Sequence, residues 1–268
     1  MNPSLAGKQY LSIVIPCLNE EDTIGRCIRK ADAVCRSHGI PHEIIVADNG
    51  SSDASARIAT ELGARVVNVV DRGYGAALRA GILASRGRLI IMGDADDSYD
   101  FRDLRELYWK LLDGYELVLG CRLPAGGGMI ASGAMPWLHR HLGNPCFTWM
   151  VRFLFGAPVG DVYCGLRGFT RELFDRLRLE ATGMEFAVEM VVRATQAEAR
   201  IANVPLTLYP DGRCAHRGHL RTFRDGWRTL THILRWYQAA RPSSVRTEVV
   251  VENLAVLEYR PEVPVHGG

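Results

Sequence analysis

A chain of 268 residues, 47% hydrophobic and 23% charged, carries enough apolar material for one large core, which excludes a disordered or fibrous protein. A formal net charge of only +2 excludes a broadly basic nucleic-acid binder. Seven cysteines, an odd number with no Cys-X-X-Cys pair, favour neither a disulfide framework nor a zinc module, so a reducing cytoplasm is the expected compartment.

The first apolar stretch, Leu11 to Leu18, is interrupted by Pro16 and ends at Asn19-Glu20-Glu21-Asp22, unlike a signal peptide. No uncharged apolar run reaches the roughly 18 residues of a membrane span, so membrane contact, if any, is expected to be peripheral. Leu11 to Ile15 reads as a strand, and residues 20–37 carry helical spacing through Ile24, Cys27, Ile28, Ala31, Val34 and Cys35. Residues 43–47 form the next strand, and Asp48-Asn-Gly-Ser-Ser-Asp53 is a turn that caps a helix running to Leu62. Strands are expected at 64–70, 89–92 and 117–119, and helices at 75–85, 101–112 and 185–197. This alternation predicts an α/β fold with a mainly parallel sheet and right-handed crossovers. Residues 120–133, with Pro124 and glycines at 126–128, read as a long mobile loop.

A dinucleotide-binding domain fails at the first strand-to-helix turn. The phosphate fingerprint needs glycines there, whereas this turn is Pro16-Cys-Leu-Asn-Glu20-Glu21, whose carboxylates repel phosphate. Sugar hydroxyls or a nucleobase fit better, because carboxylates accept O–H and N–H donors. Directly behind the apolar run 88–93 stands Asp94-Ala-Asp96, followed by Asp97 and Asp100. Ligands of open α/β sheets bind beyond the carboxyl ends of the strands, and two carboxylates there suit Mg²⁺ or Mn²⁺ holding a diphosphate. A capped acidic turn is the plain alternative.

Pro16-X-X-Asn-Glu-Glu21, then Glu43-Ile-Ile-Val-Ala-Asp-Asn-Gly-Ser-Ser-Asp53, then Asp94-Ala-Asp96 together resemble the inverting family-2 glycosyltransferases of the GT-A fold. Asp161-Val-Tyr-Cys-Gly-Leu-Arg-Gly-Phe169, Gly183-Met-Glu-Phe186 and the basic stretch after Tyr209 extend the resemblance to the polyprenyl-phosphate (dolichyl-phosphate) mannosyl- and glucosyltransferase branch. It implies a nucleotide pocket lined by Pro16, Glu20 and Asp48, with Asp48 accepting the base N–H that uracil and guanine both offer. It implies Asp96 as the more direct metal ligand, with Asp94 closer to the ribose or sugar. Arg122, Arg213 and His219 become candidates to neutralise the departing diphosphate. Leu18, Asn49 and Ser98 depart from the family, standing where an aromatic residue, a second Asp and a Gln are found in relatives.

The donor implied is a UDP- or GDP-hexose, and the preferred acceptor is polyprenyl phosphate, which is already anionic. A soluble hydroxyl acceptor, a glycan or secondary metabolite, needs a base instead. Asp161 is the leading candidate and Glu185 and Glu189 follow, unless Asp161 merely orders its turn through Arg167. Residues 221–241 read as an amphipathic helix in which Phe223, Trp227, Leu230, Leu234 and Tyr237 alternate with arginines, suited to the cytoplasmic face of a membrane, to packing on the catalytic domain or to a dimer contact. The division expected is a nucleotide-sugar domain over 1–220, this helix, and a tail over 242–268. A non-catalytic nucleotide-sugar-binding or membrane-docking module is the alternative of another class.

Overall fold

The computed structural model describes residues 10–214 and 222–240. Seven strands build one sheet: β1 (Leu11–Cys17), β2 (His42–Asp48), β3 (Arg65–Asn68), β4 (Leu89–Met92), β5 (Leu117–Cys121), β7 (Arg167–Thr170) and β8 (Ile201–Pro205). β6 (Met129–Ile130) and β9 (Thr207–Leu208) pair separately. The order is β3-β2-β1-β4-β7-β5-β8, parallel except for β7, which runs antiparallel to both neighbours. Central strands buried on both faces need apolar side chains at nearly every position, as the run Leu89-Ile-Ile-Met92 provides.

The two-residue period of a strand sends alternate side chains into two cores. Leu11, Ile13 and Ile15 join one cluster with α1 (Ile24–Ser37) and α4 (Leu104–Leu112). Val14, Ile45, Ile90 and Met92 face the other, with α3 (Tyr74–Ala84), α6 (Arg171–Leu177) and α7 (Phe186–Gln196). The short α2 (Ser55–Glu61) flanks β2 and β3.

Three expectations need correction. The first helix begins at Ile24, not at residue 20, because the Glu20 carbonyl accepts both Thr23 N and Ile24 N in a tight turn. Pro16 lies inside β1; it is tolerated there because β4 pairs only as far as Val14, where its missing N–H is not needed. The supposed mobile loop after residue 120 is built: β5 runs to Cys121, a 3₁₀ turn follows at Pro124–Gly126, and β6 pairs with β9. A Cβ on Gly128 would lie 2.1 Å from the Cys121 carbonyl oxygen, so the glycine permits that close return.

α5 (Asn144–Phe155) was not among the predicted helices, although Pro145 near its start and left-handed Gly156 after its end are helix punctuation. A π-helical turn, His139–Gly143, leads directly into it. α8 (Thr222–Ala240) packs on α5 and α7 through buried Thr229 and Ile233. The Tyr163 hydroxyl donates to Thr229 Oγ1 at 2.7 Å, Arg228 pairs with Glu185 at 2.7 Å, and the rings of Phe155 and Tyr237 meet at 6.0 Å. The predicted apolar stripe is thereby split: Tyr237 and Leu230 are half-buried, whereas Trp227 and Leu234 are exposed. The side chain of Phe223, and all of Arg221 and His219, lie outside the described residues.

Candidate active site

The carboxyl ends of β1, β2 and β4 carry the acidic residues to one rim of the sheet. Parallel register sets Cys17 beside Asp48 at the last pair of β1 and β2. Asp48 is buried and accepts from Ser51 N at 3.2 Å, closing the turn after β2. Asn49 ties this turn to the segment before α3: its amide donates to the Asp71 carbonyl at 2.7 Å and accepts from Gly73 N at 2.8 Å. An aspartate could not donate to that carbonyl, which gives this departure from the family a local physical reason.

After β1, left-handed Asn19 accepts from Ser52 N at 2.8 Å and so ties the first acidic turn to the second. Glu20 is buried and accepts from Arg213 Nε at 2.8 Å, with a second, shorter contact from Arg213 Nη2. Arg213 also lies 3.6 Å from Asp96 and pairs with Asp211. The segment bearing it is anchored by Gly212 N donating to the Asp96 carbonyl at 2.9 Å and Arg26 donating to the Gly212 carbonyl at 2.8 Å. Glu20, Asp96 and Arg213, remote in sequence, therefore meet.

The four acids of the Asp94–Asp100 stretch divide into two kinds. Asp97 is neutralised by Lys30 at 2.7 Å and Arg26 at 3.2 Å, and Asp100 caps the following 3₁₀ turn and holds Arg102. Asp94 and Asp96 are close enough to repel one another, and Asp96 shares Arg213 with Glu20 and Asp211. Asp96 accepts from Ser98 Oγ at 2.6 Å, so Ser98 orients this carboxylate, and Asp94 accepts from the Tyr74 hydroxyl at 2.7 Å. Burial first, and the charge of Asp96 second, push Asp94 up to about 6. Gly165 leaves the room Asp94 needs, since a Cβ there would come within 2.1 Å of its Oδ2.

That chemistry fits a hard divalent cation: two oxygen donors whose mutual repulsion a cation would relieve, at the end of a sheet strand. Among the described residues no third His, Cys, Asp or Glu joins them in a metal-binding group. Two carboxylates with the remaining positions left to phosphate and water is the usual pattern for Mg²⁺.

Arg122 and Asp161 occupy a different setting. They form a fully buried pair with bonds of 2.6 and 2.9 Å from Nε and Nη2. Burial raises the Asp161 carboxyl, but Arg122 beside it outweighs this and holds it below the usual carboxylate range. Arg122 also donates to the Tyr99 hydroxyl at 3.2 Å, and that oxygen accepts from Gly165 N at 2.9 Å. The pair thus supports the loop lying on Asp94. Asp161 orders its turn through Arg122; Arg167 instead donates to the carbonyls of Val162, Cys164 and Ala187.

Glu185, at the N-cap of α7, accepts from Gly183 N at 3.0 Å and pairs with Arg228. Glu189 accepts from Ala181 N at 2.8 Å and Glu180 N at 3.0 Å. All three candidate bases are buried and engaged. Sequence reasoning missed Tyr74, Tyr99 and the role of Asn49. The one visible sign was Gly73-Tyr-Gly75: a Cβ on either glycine would lie within 2.4 Å of a carbonyl oxygen, so the chain beside Tyr74 can approach only without side chains.

A mainly parallel sheet with an acidic rim at its strand ends is the architecture of the GT-A fold. The family described as glycosyl transferase family 2 matches residues 12–178, and the chain belongs to it. It is 38% identical over 226 residues to the low-salt glycan biosynthesis hexosyltransferase Agl6 of Haloferax volcanii, covering 84% of this chain but only 53% of that protein, about half its length. It is 33% identical over 197 residues to a dolichyl-phosphate hexose transferase of the same organism, covering 73% of this chain and 81% of that one. In fold it is similar to the glucosyl-3-phosphoglycerate synthase of Mycobacterium tuberculosis in complex with Mn²⁺, UDP and glucosyl-3-phosphoglycerate. That likeness has a TM-score of 0.67 and 24% identity, over 88% of this chain and 82% of the other.

Proposed function

We propose that the protein transfers a hexose, with inversion, from a UDP- or GDP-sugar to a polyprenyl phosphate, using Mg²⁺ or Mn²⁺. The observation carrying the donor half is the Asp94–Asp96 pair, set between Glu20 and Arg213 on one side and Tyr74 on the other. A bound cation would supply charge neutralisation for the departing nucleoside diphosphate. Asp96, oriented by Ser98, and Asp94, oriented by Tyr74, would hold it. Asp48 accepts the base N–H, and Pro16 and Glu20 complete the wall. Arg213 exchanges its carboxylate partners for phosphate oxygens when the donor enters, and His219 joins it in meeting the leaving group.

The acceptor half rests on the state of the three candidate bases. A hydroxyl acceptor needs a carboxylate able to take its proton, and such a base works best with its pKa near the operating pH. Asp161 is held below the carboxylate range by Arg122, and Glu185 and Glu189 spend their oxygens on Arg228 and on backbone N–H groups. A phosphate monoester is already a nucleophile and needs none of them. The dolichyl-phosphate hexose transferase among the relatives supports the same choice. The work of transfer would fall on the cytoplasmic face of a membrane; no described helix is long and apolar enough to cross one.

The test is transfer from a panel of radiolabelled UDP- and GDP-hexoses, with and without polyprenyl phosphate. Product requiring both the lipid phosphate and the divalent cation is expected. Efficient transfer to a hydroxyl acceptor alone would overturn the acceptor assignment and return Asp161 to the role of base.

A further inference from the structure

The π-helical turn and α5 form one continuous helical segment whose outer side is uncovered. Leu138, Leu142, Trp149 and Phe153 are spaced by four, seven and four residues, which keeps them on a single face. Trp149 is 62% exposed and Phe153 71%, and their rings stack at 5.2 Å with planes 7° apart. The inner side of α5 is already committed, with Thr148 and Val151 buried. α8 runs alongside: a Cβ on Gly226 would sit 4.0 Å from Phe147, and Tyr237 packs on Phe155 at the other end. Its own outward positions include Trp227, 69% exposed, and Leu234.

Two packed helices thus each leave large apolar side chains in solvent, Trp149 and Phe153 on α5 and Trp227 and Leu234 on α8. Charge identifies what covers them. Residues 136–156 contain no acid, and across α5, the turn before it and α8 five arginines (140, 152, 224, 228, 235) stand against Asp225 on the same elements and Glu185 of α7, which pairs with Arg228. The whole chain carries only +2, so this excess is local. Two such faces would repel one another, which disfavours a second copy. Tryptophan beside arginine suits the boundary between acyl chains and anionic headgroups, where indole presents an apolar ring and an N–H donor.

We propose that the outward sides of α5 and α8 form a docking face that seats the enzyme on an anionic bilayer, with Trp149 and Phe153 as the inserted anchors. The face adjoins the site. His139, in the turn that begins it, lies within electrostatic reach of Arg122, and Arg228 on α8 reaches Glu185 and Thr182 beside the Gly73–Gly75 approach. A phosphate borne by a membrane lipid would therefore meet the catalytic rim without leaving the surface. Docking itself stands on this face alone; its purpose rests on the acceptor proposed above.

The experiment is co-sedimentation of the full chain with vesicles of equal phosphatidylglycerol and phosphatidylcholine, against pure phosphatidylcholine, with brominated lipid as a quencher of indole fluorescence. Binding about tenfold stronger to the anionic vesicles, weakened by 0.5 M NaCl and accompanied by quenching, is expected. Trp149→Ser with Phe153→Ser should abolish binding and quenching while leaving the melting temperature and transfer to a short-chain, water-soluble isoprenyl phosphate unchanged. A wild-type protein that ignores anionic vesicles overturns the proposal. So does a concentration-dependent dimer in sedimentation velocity that the same double substitution dissolves, because the face would then belong to a second copy. Vesicle binding without transfer to any isoprenyl phosphate would refute the acceptor and leave the docking face standing.

Discussion

The rim proposed to bind the donor and the side proposed to face the acceptor both shield carboxylates from water, and they treat them in opposite ways. Each of the three candidate bases has a protein partner: Asp161 has Arg122, held through two bonds, Glu185 has Arg228, and Glu189 has backbone donors and Arg193. At the donor rim Asp94 and Asp96 press on each other, and burial with this repulsion lifts Asp94 to about 6. A buried charge balanced within the chain stabilises a turn. A half-buried carboxylate pair that has only a share of Arg213, 3.6 Å from Asp96, keeps negative charge that a cation would balance.

Equivalent substitutions on the two sides should therefore fail differently. Asp96→Asn should lower turnover by about a thousandfold, the scale of losing a principal electrostatic group, while the melting temperature is retained. A variant that keeps most of its turnover would break the comparison on the donor side. Asp161→Ala should do the reverse: it leaves Arg122 buried and unpaired, at a cost of about 3–5 kcal/mol in urea denaturation. Normal stability combined with lost activity would make Asp161 a catalytic base after all. Asp48→Ala should weaken binding of the nucleoside diphosphate by about 1.5–3 kcal/mol in calorimetry, the scale of a hydrogen bond to a charged group. Unchanged affinity would reduce Asp48 to closing the turn at Ser51.

The smallest effect is the most diagnostic of unbalanced charge. Asp94 keeps its proton in the folded, metal-free protein up to about pH 6, whereas the ordinary carboxyl loses it near 3.8. The folded state therefore binds the extra proton, and its stability falls as pH rises through that window. Asp94→Asn removes this loss. The variant should melt a few degrees above wild type at pH 8 without metal, and the gap should close as pH falls through 6 towards 4. A gap independent of pH would mean that Asp94 carries no such penalty.

The two sides were not equally legible in the sequence. The donor rim is local: apolar runs ending in Pro16 to Glu21, Asp48 and Asp94 to Asp96 give strands, turns and carboxylates in one reading, and β4 falls at residues 89–92 as expected. What escaped was the partner of each acid, since Tyr74 to Asp94 and Arg213 to Glu20 span 20 and 193 residues. The acceptor side is almost wholly non-local. Arg122 and Asp161 are 39 residues apart, and both were singled out for chemistry with no sign in the sequence that they would neutralise each other. α5 was missed because its apolar residues surround the helix, the outer ones facing solvent, so no polar face marked the period.

The measurement closest to the central claim is direct titration of Mn²⁺ by electron paramagnetic resonance, in the presence of UDP or GDP, for the wild type and Asp96→Asn. The account predicts one tightly bound Mn²⁺ per wild-type chain, dependent on the nucleotide, and none in a variant that remains folded. Undiminished Mn²⁺ binding by Asp96→Asn, or full transfer in excess chelator, would contradict it.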